Sequence, residues 1–324
     1  HALDQERVHG LPWHVAAFLN LTRDHLDYHG DEEHYFAAKA RLFLDHTPER
    51  AVINLDDPWG RRLVEEIGSR YPIIGFSTRQ EQIQGTTELL TATDCRHTWS
   101  GSFLTLRVEG DAHPVRLQVP GDFNVANALA AAAIARGVGT SIEEIVTGLE
   151  RFTAVRGRLQ PIRCGHPFAV AVDYAHTPDA LERLLILARG ITKGRVIVLF
   201  GCGGDRDHGK RPQMGALAAR YADHAVVTDD NPRTESPAEI RRQIINGYKE
   251  AAEAEISTSL SEIGDRAEAI ATAIEMAQPG DAVLLAGKGH ETVQIGADGT
   301  TPFDDAAVAR SALATLGYHC QDDD

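Results

Sequence analysis

The chain has 324 residues, 43% of them hydrophobic and 24% charged, which suits two domains with buried cores and excludes a disordered tail. Its 32 Lys and Arg stand against 47 Asp and Glu, a net charge of −15. Nucleic acid and anionic membrane surfaces are therefore not expected partners, since both demand clustered positive charge, while a phosphate-bearing substrate stays open because a site can be locally positive. No apolar run approaches the roughly 18 residues of a membrane span, and no signal-peptide pattern is present. Cys95, Cys164, Cys202 and Cys320 show no C-x-x-C spacing, which predicts neither a disulfide framework nor a zinc site and fits a reducing compartment.

In chain order, residues 15–19 and 51–55 are expected core strands. Residues 87–119 alternate polar and apolar positions, which predicts an antiparallel hairpin region. Residues 127–136 are helical by composition. A domain boundary is expected near Phe152, giving domains 1–152 and 153–324. Beyond it come a buried strand at 168–173, a helix capped by Thr177 with Pro178 in its first turn, and a strand at 195–200. A glycine-rich loop, a helix at 211–221, a strand at 225–228, a helix from Pro237 and a last clear strand at 282–286 follow. Apolar strands that alternate with helices predict an α/β fold with a parallel sheet covered on both faces. Ligands bind such sheets beyond the carboxyl ends of the strands. Four polar clusters fall there: 173–176, 201–211, 229–233 and 287–291.

Several segments carry candidate chemistry. Gly204-Asp-Arg-Asp-His-Gly209-Lys210 meets the spacing of a phosphate-binding loop, but Arg211 stands where Ser or Thr would take Mg²⁺, and Asp205 and Asp207 would repel phosphate. It is either a polar loop that recognises a zwitterion or a solvated turn. Asp24-His25-Leu-Asp27-Tyr-His29, with Asp31, Glu32, Glu33 and His34, is either a solvated acidic loop or a cation site, and Mg²⁺ needs only one or two such ligands. Lys39, flanked by small Ala37, Ala38 and Ala40, suits close approach to a ligand or is an ordinary helical lysine. Asn124 and Asn127 stand just before a helix; capping is the favoured role, and an amide edge for adenine the other. Arg156-Gly-Arg158 is a hinge with an arginine for a phosphate, or a charged linker.

Taken together, nine segments in this order resemble the Mur ligase family, and within it the branch that adds the third residue of the peptidoglycan stem peptide. They are Asn20-Leu-Thr-Arg-Asp-His-Leu-Asp-Tyr-His-Gly30, Tyr35-Phe-Ala-Ala-Lys39, Gly121-Asp-Phe-Asn-Val-Ala-Asn127, Gly157-Arg158, Val172-Asp-Tyr-Ala-His-Thr-Pro-Asp179, Phe200-Gly-Cys-Gly-Gly-Asp-Arg-Asp207, Gly209-Lys-Arg-Pro212, Asp229-Asp-Asn-Pro-Arg233 and Gly287-Lys-Gly-His-Glu291. The resemblance implies the latter part of a central ATPase domain at 1–152 and a Rossmann-like carboxy-terminal domain with a mostly parallel sheet at 153–324. It implies ATP and Mg²⁺ as cofactors, a UDP-N-acetylmuramoyl dipeptide and meso-diaminopimelate as substrates, an acyl-phosphate route, and a cytoplasmic monomer.

The resemblance also implies residue roles. His25 and a carbamylated Lys39 are similar to the Mg²⁺-holding, catalytic positions. Asn124, Asn127, Arg158, Asp173, Tyr174 and His176 match the ATP-contacting region, with Asp173 suited to a ribose hydroxyl. Gln5 and Arg7 match positions near the UDP-muramoyl substrate. Asp230-Asn231-Pro232-Arg233 resembles the signature of the diaminopimelate-adding enzymes, whose lysine-adding relatives have no arginine there; a guanidinium can hold the extra carboxylate in paired hydrogen bonds. Arg206, Gly287 and Glu291 match further amino-acid contacts, Glu291 for the distal ammonium. In the family a phosphate loop with Gly-Lys-Thr/Ser precedes a Ser-Ser-His motif, and this chain is similar from that His onward, so it is expected to be a fragment. A catalytically inactive amino-acid-binding module is the alternative of another class. A related amide ligase (cell-wall recycling, folylpolyglutamate-type or cyanophycin-type) is a third, against which Asp-Asn-Pro-Arg and Gly-Lys-Gly-His-Glu argue.

Overall fold

The structure, a computed structural model, describes residues 1–22, 26–79, 84–252 and 258–320. It divides into two compact units, His1–Thr153 and Ala154–Asp324.

Unit 1 runs β1 (Val15–Phe18), α1 (Leu26–His29), α2 (Glu32–Leu44), β2 (Arg50–Asn54), α3 (Pro58–Ile67), β3 (Ile73–Ser77), β4 (Glu88–Thr98), β5 (Gly101–Val108), β6 (Asp111–Leu117), α4 (Asp122–Gly137) and α5 (Ile142–Arg151). Its sheet has the order β1-β2-β3-β4-β5-β6. β1 to β4 are parallel, and β4, β5 and β6 form an antiparallel meander, as the alternation at 87–119 predicts. The helices start where the sequence supplies acceptors. Asp31 accepts from the His34 amide ahead of α2, and Asp57 accepts from the Trp59 and Gly60 amides with Pro58 opening α3. Phe36, Ala40 and Phe43 of α2, with Leu63, Val64 and Ile67 of α3, bury against Ala16, Phe18, Ala51 and Ile53. That packing makes the unit a cooperative core from helices too short to hold alone.

Unit 2 runs β7 (Gln160–Pro161), β8 (Ala169–Asp173), α6 (Pro178–Ile191), β9 (Val196–Phe200), α7 (Lys210–Tyr221), β10 (His224–Val227), α8 (Pro237–Ala252), β11 (Ser259–Glu262), α9 (Arg266–Glu275), β12 (Ala282–Ala286), β13 (Val293–Gly296), β14 (Gly299–Pro302) and α10 (Asp305–Thr315). The large sheet has the order β11-β10-β9-β12-β8-β7, parallel apart from β7. Every residue of β9 and β12 is buried, which explains their unbroken apolar sequences. β12, late in the sequence, inserts between β8 and β9, so the order in which strands are added across the sheet turns back while the strands stay parallel. The loops after β8, β9, β10 and β12 therefore emerge at one edge, where such sheets bind ligands.

Two expectations need correction. The strand at 282–286 is not the last, because β13 and β14 form a separate hairpin after it. Cys164 and Cys320 are joined by a disulfide across 156 residues of sequence, so four separate thiols are not found. Cys164 belongs to the apolar cluster with Ile162 and Val170, and the segment after α10 packs Cys320 against the same cluster. Pairing made by such distant packing leaves no mark in cysteine spacing. Cys95 and Cys202 are unpaired thiols, the first exposed and the second buried.

Candidate functional site

In unit 1, α1 and α2 carry a strip of rings. His29 stacks on Tyr35 with centroids 4.8 Å apart, Tyr28 meets His29 at 4.7 Å, and the Lys39 ammonium lies 4.9 Å from the Tyr35 ring centroid. Gln5 joins this strip: its amide donates to the Tyr28 hydroxyl at 3.1 Å, and that hydroxyl donates to Asp4 at 2.8 Å. Arg7 is exposed on the turn preceding β1, its backbone amide bonded to the Ala2 carbonyl. His25 lies outside the described residues.

The crowding of Lys39 by alanines is corrected. Ala38 and Ala40 are buried, and Ala37 is exposed. Adjacent helical positions point in different directions, and the neighbour that Lys39 meets is Tyr35, four residues earlier. The two asparagines also differ from the favoured expectation. α4 begins at Asp122, so Asn124 and Asn127 lie inside its first turns, and Gly121 at the N-cap position supplies no side-chain acceptor. The Asn124 amide donates back to the Pro120 carbonyl at 2.7 Å, and Asn127 is exposed one turn later.

In unit 2, the loop after β8 gathers one cluster. Asp173 accepts from the Leu159 amide at 2.7 Å and from the Ala175 amide at 2.8 Å, one bond on each oxygen. Burial pushes its carboxyl above the ordinary range, against the pull of those amides and of Arg158. Its first task is thus to fix the loop that carries Arg158, whose guanidinium sits 4.7 Å from the Tyr174 ring centroid. Tyr174 also packs on His176 at 4.5 Å and His290 at 5.2 Å. Gly157, at φ +72°, lets this loop touch the His290 backbone where any Cβ would collide. Lys210 donates to the His176 carbonyl at 2.8 Å, so the lysine of the rejected phosphate-loop spacing braces this turn.

The loops after β9, β10 and β12 form the second cluster. The Gly204 amide donates to the Asn231 carbonyl at 2.9 Å, and Arg233 Nη1 donates to the Gly204 carbonyl at 2.7 Å. A Cβ on Gly203 would lie 2.9 Å from Arg233 Nη1 and 3.8 Å from Arg206 Cγ, so both arginines border that glycine. The Pro232 carbonyl abuts Gly204 closely enough to exclude a side chain there. Asn231 donates to Glu291 Oε2 at 2.8 Å. Gly287, at φ +111°, lies against Asp230, where a Cβ would come within 2.9 Å of Oδ2. Asp230, Asn231, Pro232, Arg233, Gly287 and Glu291 are thereby assembled, with Arg206 beside them.

Three buried cations had no role in the sequence reading. Arg211 is fully buried and pairs with both oxygens of Glu235 at 2.9 Å, which pulls the Glu235 carboxyl down to about 2. That pair anchors the loop bearing Arg206. Arg266 forms a two-bond pair with Asp305, and Lys288 has no exposure at all. The signal for Lys288 was its place between Gly287 and Gly289, both at positive φ. Asp205 and Asp207 serve the turn itself, accepting from the Thr234 hydroxyl at 2.7 Å and the Gly209 amide at 2.8 Å.

Comparison with known proteins places segments of both units in one family. Residues 1–135 match the Mur ligase middle domain, and residues 157–289 the Mur ligase glutamate ligase domain. The chain belongs to the Mur ligase family. It is 46% identical over 321 residues to the UDP-N-acetylmuramoyl-L-alanyl-D-glutamate–2,6-diaminopimelate ligase of Thermosynechococcus vestitus, covering 97% of the chain and 61% of that relative. The ligase of that name from Geobacillus kaustophilus is 43% identical, over 98% of the chain and 64% of the relative. A solved structure of a ligase of that name superposes with a TM-score of 0.71 at 36% identity, covering 98% of this chain and 63% of that one. The MurF ligase of Thermotoga maritima, solved with ADP, has the same fold, with a TM-score of 0.60 at 20% identity over 86% of this chain and 59% of that one. The chain spans about three fifths of the length of these Mur ligases. Among its described residues no helix is long and apolar enough to cross a membrane.

Proposed function

We propose that this Mur ligase chain is part of a cytoplasmic, ATP-dependent ligase that joins meso-diaminopimelate to UDP-N-acetylmuramoyl-L-Ala-D-Glu. The observation that carries the reading is the edge of the unit 2 sheet. Two arginines border Gly203, and the Glu291 carboxylate hangs on Asn231 beside them. An amino-acid end, one carboxylate and one ammonium, has the charges to match. In the reaction the substrate carboxylate attacks the γ-phosphorus of ATP and ADP leaves. The proximal amine of diaminopimelate then attacks the acyl carbon and phosphate departs. The residues of unit 2 orient the amine by holding the far end of its molecule, which turns a bimolecular encounter into a positioned one.

In the same reading Arg158, Tyr174 and His176 contact the nucleotide, with Asn124 and Asn127 offering amides in unit 1. Asp173 holds the Arg158 loop and has lone pairs left for a ribose hydroxyl. Gln5 and Arg7 lie toward the UDP-muramoyl moiety. Mg²⁺ fits the Lys39 wall only if Nζ becomes an anion, since an ammonium over a tyrosine face repels a cation; carbamylation by CO₂ supplies that anion, with His25 as a second ligand. When bound, the metal would offset charge gathering on the γ-phosphate and the acyl carboxylate. The two units correspond in this reading to part of the central domain and the carboxy-terminal domain, in a monomer.

The test is ATP-dependent incorporation of labelled meso-diaminopimelate into the UDP-linked dipeptide, with ADP and phosphate formed one for one. Incorporation supports the ligase. Diaminopimelate binding by the 324-residue chain with no ATP turnover, in that chain or in the longer protein, identifies a binding module instead.

A further inference from the structure

Lys288 is a lysine without exposure, in a loop whose neighbours are the amino-acid-binding candidates. Lysine is rarely buried, because its ammonium loses hydration that only acceptors can replace. Here Nζ donates to Asn231 Oδ1 at 2.9 Å and to Glu291 Oε2 at 3.2 Å, and lies 3.8 Å from Asp230 Oδ1. Asn231 is held as well: its Oδ1 also accepts from the Ile295 amide at 3.0 Å, and its Nδ2 donates to that same Glu291 Oε2 at 2.8 Å. Both bonds to Glu291 therefore fall on one oxygen, which leaves Oε1 directed elsewhere on a side chain with 31% exposure.

Charge around the lysine points the same way. Lys288, Asp230 and Glu291 together carry one net negative charge. Arg266, a further cation in electrostatic reach of those carboxylates, is neutralised by Asp305 at 2.6 Å. A ligand ammonium at Glu291 offsets the negative charge of this trio, and a neutral group does not.

We propose that Lys288 is a positioning residue for amino-acid selection. It pins Glu291 through Oε2, and with it Asn231, so that Oε1 faces the distal ammonium of the incoming amino acid. The proposal rests on the reading that this edge binds diaminopimelate.

The experiment is calorimetric titration of the 324-residue chain, at millimolar ligand, with meso-diaminopimelate and with 2-aminopimelate, which lacks the distal amine. The unmodified chain is expected to bind diaminopimelate more tightly. Lys288→Met is expected to weaken diaminopimelate at least about tenfold, the scale of one hydrogen bond to a charged group, and to leave 2-aminopimelate within about twofold. Lys288→Gln, which keeps a donor for Asn231 without the charge, covers the case that the Met variant does not fold, and is expected to fall between. Equal loss for both ligands means that Lys288 only supports the loop, and overturns the proposal. So does undiminished diaminopimelate binding by either variant. If the unmodified chain binds neither ligand, the diaminopimelate reading itself fails, and the role of Lys288 with it.

Discussion

Arg266 ties down the candidate amino-acid edge of unit 2 from a fully buried position. Its Nε donates to Asp305 Oδ1 at 2.8 Å and its Nη2 to Oδ2 at 2.6 Å, with both side chains fully buried. Nη2 also donates at 3.1 Å to the carbonyl of Ala286, the last residue of β12 and the one before Gly287. Nη1 reaches the Asp229 carbonyl at 3.5 Å, so Arg266→Leu removes four bonds and leaves the Asp305 carboxylate alone beside buried Ala306 and Ala309. Breaking a buried ion pair from one side costs about 3–5 kcal/mol. In a unit of this size each kcal/mol moves the midpoint by about 2–4 °C, so unit 2 is expected to melt about 6–20 °C lower. Arg266→Leu combined with Asp305→Leu removes the stranded charge and is expected to recover most of that loss. What remains reflects the Ala286 and Asp229 carbonyls that lose their donor, about 1–3 kcal/mol, chiefly from the shorter Ala286 bond. Differential scanning calorimetry of the chain reads both variants. A single variant that melts within about 2 °C of the parent refutes the reasoning, as does a double variant no more stable than the single.

Two further outcomes are expected. Lys39→Ala should abolish nearly all ligation, and added acetate or formate should restore part of it by supplying the missing carboxylate; activity near that of the unmodified protein removes Lys39 from the site. Glu235 should make acid stability steeper. Its carboxyl falls from the ordinary 4.5 to about 2 beside Arg211, so its contribution is present above pH 4.5 and is lost as pH falls toward 2. Glu235→Gln should flatten the midpoint-versus-pH curve in that window, and an unchanged slope contradicts the pairing.

The strands that sequence made plain are those buried on both faces. β9 and β12 are apolar at every position because helices cover them, and the polar runs that follow mark the site edge. β11, with the sequence Ser-Leu-Ser-Glu, sits at the sheet edge with half its positions exposed, and so carries no apolar run to find. The β13–β14 hairpin is equally faint, being partly or fully exposed along its length. Among site residues, the roles of Glu291 and Arg233 were legible, while Lys288 and Arg211 lay inside motifs without a role and Arg266 lay outside them. Charged side chains are ordinarily taken as solvated, and only the fold shows that their partners come from as near as 3 residues to as far as 57 residues away. The placement of Asn124 and Asn127 depended on one boundary: α4 starts two residues before Asn124, which puts one expected cap in the first turn and the other a turn later.

Amino-acid selection tests the central claim most directly. Arg233 Nη1 is held by the Gly204 carbonyl, which leaves the Nε–Nη2 edge to pair with a carboxylate. The measurement is ligation with meso-diaminopimelate and lysine as competing acceptors, for the unmodified protein and for Arg233→Ala. The expected result is a preference for diaminopimelate of at least about a hundredfold that collapses in Arg233→Ala, because lysine leaves the guanidinium without its partner. A preference for lysine in the unmodified protein, or a diaminopimelate preference that survives Arg233→Ala, would contradict it.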